Sequence, residues 1–173
     1  MEYLDTKYFS YADPDDPPLK KAFIRLIEYF SGQPYLYNLY REYQKNSNQW
    51  DNFWDGCVDQ LKLNIVYNNE KILNVPKEGP LLIIANHPFG VLDGLVICWL
   101  SKKIRQEFKI LTHSLLLRAP ETKEYLLPVD FSETKEALRT NIQTRKIARE
   151  SLKDGGTIVI FPGGTVSTTN NFL

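Results

Sequence analysis

Two short apolar runs, Leu81-Leu82-Ile83-Ile84-Ala85 and Thr157-Ile158-Val159-Ile160-Phe161, constrain the fold most, because each breaks off into a polar loop bearing Gly and Pro. Such a run reads as a buried strand. Between them, Leu95 to Ile104 reads as a helix and Phe108 to Leu111 as a strand. Tyr125 to Phe131 is predicted to be a third central strand. A long helix is predicted over 133–153, capped by Ser132 and ended by Gly155-Gly156. Its Ala137, Leu138, Ile142, Ala148 and Leu152 form one stripe that should face the sheet. Strand, helix, strand, helix, strand is the grammar of a parallel sheet with crossovers. The expected fold is therefore α/β: a mostly parallel central sheet flanked by helices, with a helical segment at the N-terminus.

That segment begins with an acidic, proline-rich arm over 1–18. Apolar positions at helical spacing from Leu19 to Phe30 predict a helix that Gly32 stops. Pro34 opens a second helix through Tyr43, and Trp50, Phe53, Trp54 and Val58 predict a short third. The aromatic stripe of the first two (Phe23, Phe30, Tyr35, Tyr40) reads as core. Leu61, Leu63, Ile65 and Tyr67 alternate with polar residues, a strand pattern, and Asn68-Asn69-Glu70-Lys71 reads as a turn. Residues 1–60 are thus taken as arm and helical segment and 61–173 as the α/β part, within one structural domain overall.

Composition narrows the function. Of 173 residues, 21 are basic and 21 acidic, so no global field favours nucleic acid. Cys57 and Cys98 have neither the density of a disulfide framework nor metal-ligand spacing, which fits a reducing, intracellular setting and no metal. The N-terminus lacks the basic and apolar regions of a signal peptide. The longest near-apolar stretch, Val91 to Leu100, includes Asp93 and falls short of the ~20 residues a membrane span needs. Membrane contact is therefore expected to be peripheral.

The chemistry is expected where the two apolar strands end. If they are parallel neighbours, both loops open on one edge of the sheet, the place where open α/β sheets carry their sites. The first, Asn86-His87-Pro88-Phe89-Gly90-Val91-Leu92-Asp93, offers an imidazole suited to proton abstraction near neutral pH and a carboxylate to orient it. His87 is one of only two histidines; the other, His113, reads as structural. The second loop, Pro162-Gly163-Gly164-Thr165-Val166-Ser167, offers backbone N–H groups and two hydroxyls for an anion or a developing oxyanion. Arg118 is the basic residue nearest the expected acceptor region. No Gly-x-Ser-x-Gly elbow, Walker lysine or dinucleotide glycine fingerprint accompanies them. A base without a protein nucleophile points to direct attack by the substrate's own hydroxyl or amine.

At these residues the chain resembles the glycerolipid (lysophospholipid) acyltransferase superfamily, and more closely its haemolysin-like branch, which includes ornithine-lipid acyltransferases. The family's first motif is Asn-His, four residues, then Asp; its third is Phe-Pro-Glu-Gly-Thr-Arg-Ser. The counterparts are Asn86-His87 through Asp93, and Phe161-Pro162-Gly163-Gly164-Thr165-Val166-Ser167. The resemblance runs from about Tyr11 to the C-terminus and takes in Leu127-Pro128-Val129-Asp130 and Asn141. It implies that His87 abstracts a proton from an acceptor, which attacks an acyl thioester on coenzyme A or acyl carrier protein, while Asp93 holds the imidazole tautomer. Asn86, Phe89, Gly90, Arg118, Gly163, Gly164, Thr165 and Ser167 would contact substrate. No cofactor beyond the thioester co-substrate is implied, and the partners are that donor, a lysolipid acceptor and the cytoplasmic membrane face.

Three departures stand out. Five residues, not four, separate His87 from Asp93, and a turn at Gly90 could absorb the extra one. Gly163 and Val166 replace the family's Glu and Arg, the latter expected to hold an acceptor phosphate. Family members usually continue beyond this point, so the chain is expected to be truncated at its C-terminus. The alternatives are a weak or inactive relative that binds lipid, and an ester or thioester hydrolase in which His87–Asp93 activates water.

Overall fold

The structure, a computed structural model, describes residues 17–19, 21, 33–113 and 120–163. The chain divides into two compact units, Met1–Asn52 and Phe53–Leu173. The arm, apart from its last two residues, and most of the helix predicted over 19–30 lie outside the described residues.

In the first unit, helix α1 spans Gln33–Asn46 and runs into a 3-10 turn over Ser47–Gln49. Pro34 sits at its start, where a missing N–H costs nothing. Tyr43 is buried and stacks on Trp50, ring centroids 5.6 Å apart, whereas Tyr35 of the predicted core stripe is exposed.

The second unit contains α2 (Phe53–Gln60), α3 (Asn69–Leu73), β1 (Leu81–Ile84), α4 (Val91–Ile104), β2 (Lys109–His113), β3 (Leu126–Val129), α5 (Lys135–Lys153) and β4 (Thr157–Ile160). The strands form one sheet in the order β1-β4-β2-β3, and every pairing is parallel. The expected α/β fold is what the structure shows. β4, last in the chain, fills the slot between β1 and β2. Its register sets Leu81 opposite Thr157 and Ile84 opposite Ile160.

Alternation along the strands feeds two cores, one on each face. On one face Ile110, Leu126 and Val159 meet Trp54 of α2 and Cys98 of α4, with Phe108 and Tyr125. On the other, Leu127 and Ile158 meet Ala148 of α5. α2 packs on α4, and Trp99 Nε1 donates to Asp55 Oδ1 at 2.8 Å. At the end of α4 the Arg105 guanidinium donates to the carbonyls of Pro76, Glu78 and Gly79 at 2.9, 2.8 and 3.0 Å. Those bonds fix the loop that enters β1.

Several expectations are corrected. Residues 61–67 form no strand. Leu61, Leu63 and Ile65 do face inward in alternation, but Leu61 to Leu63 are spent ending α2. Lys62 takes φ 52°, and the N–H groups of Lys62 and Leu63 donate back to Asp59 and Val58, a Schellman termination. The predicted turn at 68–71 instead starts α3, whose cap Asn68 accepts from Lys71 N–H at 3.0 Å. β1 and β3 are the edges of the sheet among the described residues. In β1, among the described residues, Ile83 joins the first core while Leu82 and Ile84 are exposed. β3 is an edge rather than central among the described residues, which suits Pro128, since proline has no N–H to donate to a ladder.

Helix α5 also differs. Its cap is Thr134, whose hydroxyl accepts from Ala137 N–H at 3.1 Å. Ser132 instead donates from its N–H and its hydroxyl to Asp130 Oδ1, which holds that carboxyl below its usual range. The buried side of α5 carries Ala137, Thr144 and Ala148, and Leu138 and Ile142 point to solvent. Edge-strand backbone groups need partners. Asn141 exchanges two hydrogen bonds with the Asp130 backbone, and Thr144 Oγ1 donates to Pro128 O at 2.7 Å. Of the expected stripe, Ala137 and Ala148 are buried and Leu152 packs against the second core, while Leu138 and Ile142 do not join it.

Candidate active site

Because β1 and β4 are parallel neighbours, the loops that follow them emerge side by side. Ala85 N–H donates to Ile160 O at 3.2 Å, carrying the pairing just past the strands. Beyond it the chains part around an open hollow of about 360 Å³, lined by Ile84, Ala85, Asn86, His87, Phe161, Pro162 and Gly163. The two glycine-bearing loops thus share one rim.

Asp93 reaches His87 because of how α4 begins. Gly90, the cap of α4, has φ 63° and ψ −125°, a conformation only glycine adopts without strain. The helix therefore starts at Val91, earlier than expected, and Asp93 falls in its first turn. There a carboxylate is favoured by the helix dipole. Asp93 Oδ2 accepts from Phe89 N–H at 2.7 Å, so the carboxylate also ties down the preceding loop. His87 Nδ1 lies 3.3 Å from the same oxygen, and the two side chains keep 21% and 17% of their exposure. That is ion-pair distance, but the angle is not that of a hydrogen bond, and among the described residues Nδ1 has no such partner. Resting sites often hold such bonds long or misaligned until substrate binds.

On its flat side the imidazole meets Phe161, with ring centroids 4.2 Å apart and planes 22° apart. Phe161, part of the third motif, is a site residue that the sequence reading misses. Its signal was its place, the last apolar residue of a strand that ends beside the histidine loop.

Of the other expected substrate contacts, Asn86 and Gly163 line the hollow and are exposed. Phe89 is 73% exposed. Arg118, Gly164, Thr165 and Ser167 lie outside the described residues. His113, at the end of β2, stacks on Phe131 at 5.7 Å. Among the described residues no group of three or more His, Cys, Asp or Glu side chains could hold a metal ion, and no helix is long and apolar enough to cross a membrane.

The arrangement offers a partly shielded imidazole backed by a carboxylate at a hollow that Gly163 also lines. Among the described residues that line it there is no serine or cysteine nucleophile. No curated protein and no solved structure matches the chain. The family model described as Acyltransferase does match, over residues 66–173, a span holding both loops and all four strands. With more than half of its length inside that match, the chain belongs to the acyltransferase family, within the glycerolipid acyltransferase superfamily.

Proposed function

We propose that the protein moves a fatty acyl group from a thioester, on coenzyme A or acyl carrier protein, to the hydroxyl of a lysolipid in membrane lipid biosynthesis. The observation that carries this is His87 set between Asp93 and Phe161 at the rim of the hollow that β1 and β4 share. With Nδ1 turned to Asp93, Nε2 is the nitrogen left for the acceptor. It takes the hydroxyl proton as the oxygen attacks the thioester carbonyl carbon. The tetrahedral oxyanion then collapses, the C–S bond breaks, and the departing thiolate takes the proton from the imidazolium. Ester and thiol are released, and no acyl-enzyme forms. Backbone N–H groups of the loop after β4 would steady the oxyanion, with Gly163, Gly164 and Thr165 in that role and Ser167 and Arg118 toward the acceptor.

Three apolar side chains just past His87, Phe89, Val91 and Leu92, stand 73%, 52% and 40% exposed. They support a lipid substrate presented at the cytoplasmic surface of a membrane, with Asn86, Phe89 and Gly90 meeting the acyl chain at the rim. Within the superfamily we place the chain in the haemolysin-like branch. Gly163 stands where the wider family has Glu, and Val166 where it has Arg.

Purified protein given acyl thioester and lysolipid vesicles should release free thiol and form acylated lipid in equal amounts. His87→Ala should lower kcat by roughly 10²–10⁴, the worth of a positioned base, without loss of folding. Undiminished transfer by His87→Ala would remove the proposal. Thiol released with free fatty acid and no acylated lipid would make the protein a hydrolase instead. Vesicle binding without turnover, indifferent to His87→Ala, would make it a lipid-binding relative.

A further inference from the structure

The stack on Phe161 carries a role of its own. A general base works only if its ring is held in plane to within about 10–20°. Among the described residues, two contacts restrain His87. The first, to Asp93, fixes little by itself in the resting structure: it is 3.3 Å long and off axis, and the same Oδ2 already accepts the shorter bond from Phe89 N–H at 2.7 Å. The second is the face of Phe161, at 4.2 Å and 22°. Phe161 is itself anchored, since its ring packs against the first core alongside Ile83 and its strand is pinned to β1 at Ala85.

We propose that Phe161 is the positioning residue of His87, its ring holding the imidazole in plane and keeping water off one face. This rests on the reading of His87 as the base of acyl transfer. The electron-rich face of Phe161 also attracts the cation that forms when the imidazole takes the acceptor's proton, so the stack strengthens as the proton moves. In this role Phe161 acts through His87, although its ring also lines the hollow.

The chain has two histidines, so a sample with labelled histidine gives two ring signals. His113, on Phe131, serves as the internal reference. In the wild-type chain the ring current of Phe161 should move the His87 signal away from its position in the unfolded chain. Phe161→Leu should return it toward that position while the His113 signal stays, and Phe161→Tyr should keep it displaced. In the transfer assay Phe161→Leu should lower kcat roughly 10-fold or more at unchanged KM, as a misoriented base does, and Phe161→Tyr should restore it.

A His87 signal that does not respond to Phe161→Leu overturns the proposal. If Phe161→Leu unfolds, the His113 signal moves too. The wild-type and Phe161→Tyr spectra then decide, and a wild-type His87 signal at its unfolded position overturns the proposal. A wild-type chain that turns over no thioester while its His87 signal is displaced retires the acyl-transfer reading and leaves the ring contact standing.

Discussion

His87 and Asp93 meet because one glycine lets the chain turn sharply between them. Gly90, at φ 63°, holds a backbone conformation that a residue with a side chain adopts only with strain. Its freedom sets the carboxylate in the first turn of α4, where it serves the helix and the imidazole together. The pair was legible in the sequence, because residue type and a short loop suffice to suggest it. Phe161 was not, since a stack between loops of two distant strands depends on the register of β1 against β4. The cysteines show the same scale at work. Burial, and then the charge of Glu121, push the Cys57 thiol from 9.0 up to about 12, and burial raises Cys98 as well. Folding thus favours the neutral thiol. The stability this adds is complete below pH 9 and is lost as pH rises toward about 12, because the unfolded chain ionises first. At pH 10, removing this linkage with Cys57→Ala should narrow the wild-type loss of stability relative to pH 7 by roughly 1 kcal/mol, read from thermal melts at both pH values.

At the scale of elements, two helices end in the same way with different residues. α5 closes with Gly155 at φ 86°, and Gly156 N–H returns to Ser151 O at 2.8 Å. α2 closes with Lys62 in the equivalent left-handed position at φ 52°. A side chain there costs about 1–2 kcal/mol, partly offset by the lower entropy of its unfolded backbone. Lys62→Gly should therefore stabilise the protein by about 0.5–1 kcal/mol and raise Tm by roughly 1–4 °C. Lys62→Ala, which keeps the strain, should leave Tm unchanged. Gly155-Gly156 announced its helix end; a lysine in that role announces nothing, which is why 61–67 read as a strand. In α5 the polar residues Asn141 and Thr144 supply hydrogen-bond partners to the Asp130 backbone and to Pro128 O, as buried backbone groups require, while Leu138 and Ile142 stay exposed.

For the molecule as a whole, β4 joins the two cores, with Val159 feeding one and its neighbour Ile158 the other. Ile110 and Ile158 are each 1% exposed, on opposite faces of the sheet. Ile110→Ala and Ile158→Ala should each cost roughly 2–5 kcal/mol, and each should shift one cooperative unfolding transition of the sheet unit rather than split it. A core on one face that melted separately, seen as two transitions by calorimetry, would contradict that.

By itself the sequence determined which segments are strands and which are helices in 81–163, the parallel grammar that follows from their alternation, the two loops that carry His87 and Gly163, and the nearness of Asp93 to the first of them. These follow from local rules: apolar runs, helical spacing, and glycine or proline breaks. Strand order, the packing of Ile83 in β1, the buried side of α5 and the Phe161–His87 stack were decided only by tertiary structure. Each depends on which distant backbone groups and rings find one another, and no property of a short stretch of chain encodes that.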